Sequence, residues 1–183
     1  MERVLVIGSP GAGKSTLAAQ IARLTGLPLV HMDRLAWKAG WVEVSRAELE
    51  SRVREAIAGR RWVIDGNYGG TLPLRVTRAD TVIDLDLPRW LCVWSLLRRV
   101  LQHRGETRDD MAPDCPERLD WEFLVYTARF GGRGRRRIER ALAGFKGQRI
   151  TLRSRSEVRA FLAGLSRKAT DIRSATAAPS GRE

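Results

Sequence analysis

Eight residues, "GSPGAGKS" from Gly8 to Ser15, have the spacing G-x-x-x-x-G-K-[ST]. Glycines let a chain bend so that several backbone N–H groups converge on one anion. A helix opening near Gly13 adds the positive end of its dipole. Gly8, Pro10, Gly11, Ala12, Gly13, Lys14, Ser15 and Thr16 are therefore candidates for cradling the phosphates of ATP. Lys14 can reach the outer phosphates, and the Ser15 hydroxyl can bind Mg2+. A chance glycine turn is the plain alternative, but this one follows an apolar strand and opens a helix. Lys14 is also one of only four lysines (with Lys38, Lys146 and Lys168) among 33 basic residues.

Two carboxylates stand at the ends of other apolar runs. Asp33 closes "LPLVHMD", where it can orient or deprotonate an acceptor hydroxyl. A helix cap or a solvated loop position is its plain alternative, and His31 reads as a strand-end residue rather than a catalyst. Asp65 closes "WVID" and precedes Gly66. That position suits an Asp that holds magnesium together with the phosphate-loop hydroxyl, although Asp-Gly is also a turn dipeptide. Asp84 and Asp86, in "TVIDLDL", are rivals for that role. Gly66, Asn67, Tyr68 and Arg75 follow Asp65 and can line an acceptor pocket. Trp37, Trp41 and Trp62 can stack on an acceptor or fill the core. Arg98, Arg99, Arg104 and Arg108 can stabilise charge on a transferred phosphoryl group, with a solvated basic face as the alternative.

Positioning these residues takes strands that alternate with helices. Strands are expected at 3–7, 27–33, 62–65, 81–87 and 149–152. Helices are expected at 14–25, 45–59, 88–103, 117–130, 133–143 and 154–165. This alternation argues for an α/β fold with a parallel sheet covered on both faces. Ligands then bind beyond the carboxyl ends of the strands. Residues 1–167 are expected to form one domain, with a lid at about 98–116. The small polar stretch 168–183 is expected to be disordered.

The chain has 183 residues and a net charge of +12. No apolar run is long enough to span a bilayer. Neither the early glycines nor Glu2 fit a signal peptide, so a cytoplasmic protein is expected. Cys92 and Cys115 form no disulfide or metal motif. The charge raises DNA as a partner, yet no DNA-binding motif is visible. Oligomeric state is not legible.

The pieces "GSPGAGKSTLA", "LVHMDRLAW", "WVIDGNY", "LRVTRADTVIDLDLPR", "RGETRDDM" and "CPERLDWEFL" are spread over residues 4–165. With them the chain resembles the adenylate-kinase-like P-loop kinases, and more narrowly the bacterial group called DNA topology modulation proteins. The resemblance implies a three-layer α/β/α fold with a five-stranded parallel sheet, order 2-3-1-4-5, and a small lid. It implies Mg-ATP as phosphoryl donor, Asp65 on the magnesium side, and a phosphate-binding role for Arg108 in "TRDD". The chain departs from adenylate kinases in having no Arg directly after Asn67-Tyr68, which leaves Arg75 or Arg78 for a substrate phosphate. The Trp-rich segment departs from an AMP site, so the acceptor stays unnamed. The narrower label implies a nucleotide-dependent regulator on DNA as the alternative to a kinase; a simple ATPase is a third reading.

Overall fold

A computed structural model describes residues 1–176. Five strands form one parallel sheet: β1 (Arg3–Gly8), β2 (Leu29–His31), β5 (Trp62–Asp65), β6 (Thr81–Leu85) and β7 (Gln148–Leu152). Their order is β2-β5-β1-β6-β7, which is 2-3-1-4-5 when only these strands are counted. The period-two alternation of β1 divides the core. Leu5 and Ile7 join Trp62, Ile64 and Val82 on one face. Val4 and Val6 join Val63, Ile83 and Leu85 on the other. Helices α3 (Arg46–Ala56), α4 (Leu72–Arg78) and α7 (Arg133–Leu142) supply Val53, Leu72 and Ile138 to the first face. Helices α1 (Lys14–Thr25) and α8 (Arg155–Thr176) cover the second with Leu17, Ile21 and Leu162. Residues buried on both faces explain why these strands read as continuous apolar runs.

Helix caps follow the sequence signals. Ser45 Oγ accepts from Glu48 N (3.1 Å) at the start of α3. Ser154 Oγ accepts from Glu157 N (3.1 Å) at α8, and Glu157 in turn accepts from Arg153 N. Each satisfies a helix-start donor that has no partner within the helix.

Several boundaries differ from expectation. The second strand stops at His31, and the short helix α2 (Met32–Ala36) begins there. Asp33 therefore lies in a first helical turn, where a carboxylate suits the dipole. A hairpin of β3 (Trp37–Lys38) and β4 (Val42–Glu43) follows, and α4 is an additional helix. Helix α5 (Arg89–His103) matches its expected span, but α6 (Trp121–Arg129) starts later than expected. Residues before it are held elsewhere: Glu117 N donates to Glu106 O and Gly105 N donates to Glu117 O. Asp120 then caps α6 by accepting from Phe123 N (2.9 Å). Helix α8 runs to Thr176, so 168–176, expected to be disordered, are helical. Residues 177–183 lie outside the described residues.

Candidate functional site

Parallel pairing brings four segments to one edge of the sheet. In register, His31 stands opposite Asp65, Asp65 opposite Val6, and Gly8 opposite Leu85. The chain must turn sharply after β1, because the backbone of β6 is immediately alongside. Gly8 has φ +131°, and a Cβ there would sit 2.2 Å from Leu85 O. Only glycine fits this position. Gly13, at φ +89°, then hands the chain to α1.

Beyond these strand ends lies a cleft of about 780 Å³. Pro10 through Thr16 line it, together with Asp33, Asp65, Gly66, Asn67 and Tyr68. Arg98, Arg99 and Arg108 line it from α5 and the segment after it, and Asp110 joins them. Lys14 Nζ donates to Ser9 O (2.9 Å). Burial pulls its pKa below the usual lysine value, against the opposing charges of Asp65 and Asp33.

Asp65 is 4% exposed. His31 Nδ1 lies 2.8 Å from Asp65 Oδ1 and, against an ionised carboxylate, is the donor. Burial disfavours the His31 cation, but the hydrogen bond and charge of Asp65 outweigh it, so the net shift is upward. The Tyr68 hydroxyl donates to Asp33 Oδ1 (2.6 Å). Burial raises the Asp33 pKa above the ordinary carboxylate value. The Tyr68 bond and Lys14 work against that rise, while Asp65 and Asp110 add to it. Burial, and then Asp33, push the Tyr68 pKa upward.

Other residues nominated by the sequence have different surroundings. Arg75 is wholly buried and absent from the cleft lining. Its guanidinium donates to the carbonyls of Gly66 (2.7 Å), Asn67 and Tyr68 (3.2 Å). Burial lowers its pKa to about 9, and it remains charged at pH 7. Arg78 donates to Ala58 O (3.3 Å) and does not line the cleft either. Asn67 reaches the lining, but its side chain is bound to the phosphate loop: Nδ2 donates to Gly8 O (2.7 Å) and Oδ1 accepts from Gly8 N (3.0 Å). Gly66, at φ +108°, lines the cleft and also lets the Met32 side chain pack close, since a Cβ there would sit 2.9 Å from Met32 Cβ.

Trp37 is not among the lining residues. It packs with Trp41 (centroids 5.4 Å apart) against Met111, Ala112 and Cys115. Trp41 N donates to Cys115 Sγ and its indole to Pro116 O, so the β3–β4 hairpin is fastened to the end of the 104–116 segment. Trp62 is a core residue. Asp84, fully buried, pairs with Arg135 (2.8 Å) and Arg149 (3.2 Å), and Asp86 faces Arg135 at 3.6 Å. That network occupies both rivals of Asp65.

Glu117 ties the basic residues together. It pairs with Arg99 (2.9 Å) and Arg108 (2.7 Å), and Arg108 also pairs with Asp110 (3.0 Å). Burial and then Arg108 lower the Arg99 pKa, against Glu117. Arg104 does not line the cleft. Sequence reasoning missed Asp110, Arg155 and Arg159, which do. The i, i+4 spacing of Arg155 and Arg159 on α8 was the available signal.

The glycine-rich loop, the strand order and the cleft at the sheet's carboxyl edge give the chain a three-layer α/β/α fold of nucleoside-monophosphate-kinase-like architecture. A family model described as "ATPase family associated with various cellular activities (AAA)" matches residues 4–64. Over 130 residues, 67% of the chain, it is 31% identical to a protein of Thermococcus onnurineus (strain NA1) named "Putative adenylate kinase". A protein of the same name from Pyrococcus furiosus is 28% identical over the same span. The chain spans 66% of the length of each relative. Among solved structures, the shikimate kinase of Acinetobacter baumannii in complex with shikimate superposes with a TM-score of 0.55 at 14% identity, covering 98% of this chain and 96% of that one. A gluconokinase of Sinorhizobium meliloti 1021 gives 0.51 at 16% identity, covering 93% and 95%. These likenesses show the fold. Among the described residues no helix is long and apolar enough to cross a membrane.

Proposed function

We propose that the protein is an ATP-dependent phosphotransferase that moves the γ-phosphoryl group of Mg-ATP to a small-molecule or nucleotide acceptor. The observation that carries this reading is the shared cleft. It gathers Lys14 and Ser15 of the phosphate loop with Asp65 at the end of β5 and Asp33 in the first turn of α2, just beyond β2. The relatives named adenylate kinase agree with it.

In this reading the loop N–H groups and Lys14 hold the ATP phosphates. Magnesium fits the donor set, because it needs only one or two protein oxygens beside phosphates and water. Ser15 Oγ and the Asp65 carboxylate would hold it, with His31 fixing the carboxylate. When bound, it neutralises charge on the phosphates. Asp33 accepts the acceptor's hydroxyl proton, and Tyr68 holds that carboxylate in place. Arg98 and Arg108 stabilise the transferred group, and the 104–116 segment covers the site against water. The cell compartment in this reading is the cytoplasm.

The test is transfer from γ-labelled ATP by wild type and Lys14→Ala. The variant is expected to fold normally and lose turnover by roughly a hundredfold or more. Wild-type turnover in that variant would sink the reading.

The +12 charge favours a second reading, a nucleotide-dependent regulator that acts on DNA. It requires duplex binding that weakens steeply with salt yet persists near physiological ionic strength. Acceptor-independent phosphate release would instead leave a simple ATPase.

A further inference from the structure

Both chain neighbours of one buried carboxylate are held by a single indole. Glu117 is 7% exposed and does not line the cleft, yet it pairs with Arg99 (2.9 Å) and Arg108 (2.7 Å), which do. On one side of it, Pro116 O accepts a hydrogen bond from Trp41 Nε1 (3.2 Å). On the other, the Arg118 guanidinium lies 5.0 Å from the centre of the Trp41 ring, within reach of cation–π attraction. Main-chain groups fasten the same two segments: Gly40 N donates to Asp114 O (3.0 Å), Trp41 N to Cys115 Sγ (3.3 Å), and Cys115 Sγ to Lys38 O (3.4 Å).

The backbone of this junction is unusual. Among the described residues three non-glycines have positive φ, and two of them, Trp41 (+63°) and Asp114 (+52°), stand here. A bulky residue in the left-handed region is costly and persists only where its surroundings over-determine it. Apolar filling alone calls for neither the bond to Pro116 nor the ring beside Arg118. The packing of Trp41 on Trp37, Met111, Ala112 and Cys115 already supplies that filling.

We infer that Trp41 is a positioning residue for the cleft arginines: its indole fixes Pro116 and Arg118, Glu117 between them is thereby set, and Glu117 holds Arg99 and Arg108 at the cleft. That these arginines act on a transferred phosphoryl group rests on the phosphotransferase reading. Arginine stabilises developing charge only where its geometry is held beforehand, and a displacement of about 1 Å can cost on the order of a hundredfold in rate. Helix α2, which carries Asp33, runs directly into β3 of the hairpin. One element therefore carries the Asp33 carboxylate and, through Trp41, sets the arginines.

The test reads arginine placement without activity. Phenylglyoxal, which reacts with guanidinium groups, is applied to the full chain as wild type and as Trp41→Ala, and the rate at each arginine is followed by peptide mass spectrometry. Arg99 and Arg108 are expected to react several-fold faster in the variant, with Arg23, exposed on α1, unchanged as a reference. Equal rates at Arg99 and Arg108 in the two proteins overturn the inference. Turnover of γ-labelled Mg-ATP is the second readout. Trp41→Ala is expected to lose roughly tenfold to a hundredfold in kcat, with KM for ATP little changed. That loss is expected to vanish when Arg108 is already alanine, because residues that act through one another are non-additive. The full loss in the Arg108→Ala background is the mark of a merely structural role and overturns the inference. If Trp41→Ala does not fold, Trp41→Phe, which keeps a ring but not the indole N–H, takes its place in both measurements. A wild type that transfers label to no acceptor overturns the phosphotransferase reading alone, and the phenylglyoxal rates still decide the positioning of Arg99 and Arg108.

Discussion

Replacing Arg75 with lysine separates a scaffold from a substrate clamp. The guanidinium is fully buried, and the drop of its pKa from 12.5 to about 9 corresponds to roughly 5 kcal/mol against the charged form. Three bonds to the carbonyls of Gly66, Asn67 and Tyr68 offset this, each charge-assisted bond contributing about 1.5–3 kcal/mol. Lysine keeps the buried charge but lacks the planar fork that reaches several carbonyls at once. Loss of even one or two bonds costs about 3 kcal/mol. For a chain of this size that lowers Tm by roughly 6–12 °C. Differential scanning calorimetry reads the change, and steady-state kinetics on the same sample give KM for the acceptor. The scaffold role predicts a large fall in Tm, with kcat and the ATP-side kinetics disturbed through the loop. If Arg75→Lys melts within about 2 °C of wild type and raises only the acceptor KM, the reasoning is refuted and Arg75 is a substrate ligand after all.

Asp33→Asn is expected to cut kcat by roughly 10²–10⁴-fold while leaving ATP affinity in place; an equal loss of both would assign Asp33 to the metal. Because the Asp33 pKa is raised by burial and by Asp65 and Asp110, against Tyr68 and Lys14, the fold holds its proton more tightly than the unfolded chain does. The ionised group therefore opposes folding at neutral pH. The variant should melt higher than wild type at pH 7, and that gain should vanish as pH falls below the ordinary Asp value of about 3.9. The acid limb of kcat/KM should also lie above that value, and a limb at or below it would count against Asp33 as base. Gly8→Ala should destabilise far beyond the ~1 kcal/mol typical of Gly-to-Ala changes, since its Cβ would meet Leu85 O at 2.2 Å; a wild-type melt would contradict the close approach. Arg155→Ala with Arg159→Ala should raise KM for ATP by roughly 3–10-fold with acceptor KM unchanged, and the reverse pattern would assign the pair to the acceptor.

The parts legible in the sequence are those fixed by local chemistry. The phosphate loop, the five strands and their flanking helices rest on glycine, capping serines and doubly buried apolar runs, and the structure has them in those places. What escaped depends on contacts distant in sequence. That Arg75 faces inward follows from a helix, α4, that seven residues with a proline did not announce. Asp84 is paired with Arg135 and Arg149, more than fifty residues away, and no local pattern announces that partnership. His31 meets Asp65 only because parallel register sets the two opposite each other. The start of α6 was misjudged because Glu117, a good helix former, is held by Arg99 and Arg108 instead.

The Asn67 side chain makes two hydrogen bonds to the backbone of Gly8, and its own carbonyl is held by Arg75. The glycine-rich loop after β1 and the Gly66–Tyr68 segment after β5 thus share one clasp. Whatever free energy a nucleotide gives up to order the first loop is also given to the second. Occupancy of either side then prepays part of the ordering cost of the other. Such coupling is reciprocal and typically amounts to about 1–3 kcal/mol. The acceptor should therefore bind more tightly to the nucleotide-loaded protein than to the empty one, and Asn67→Ala should weaken that mutual assistance without removing a single atom that touches either ligand's reacting group.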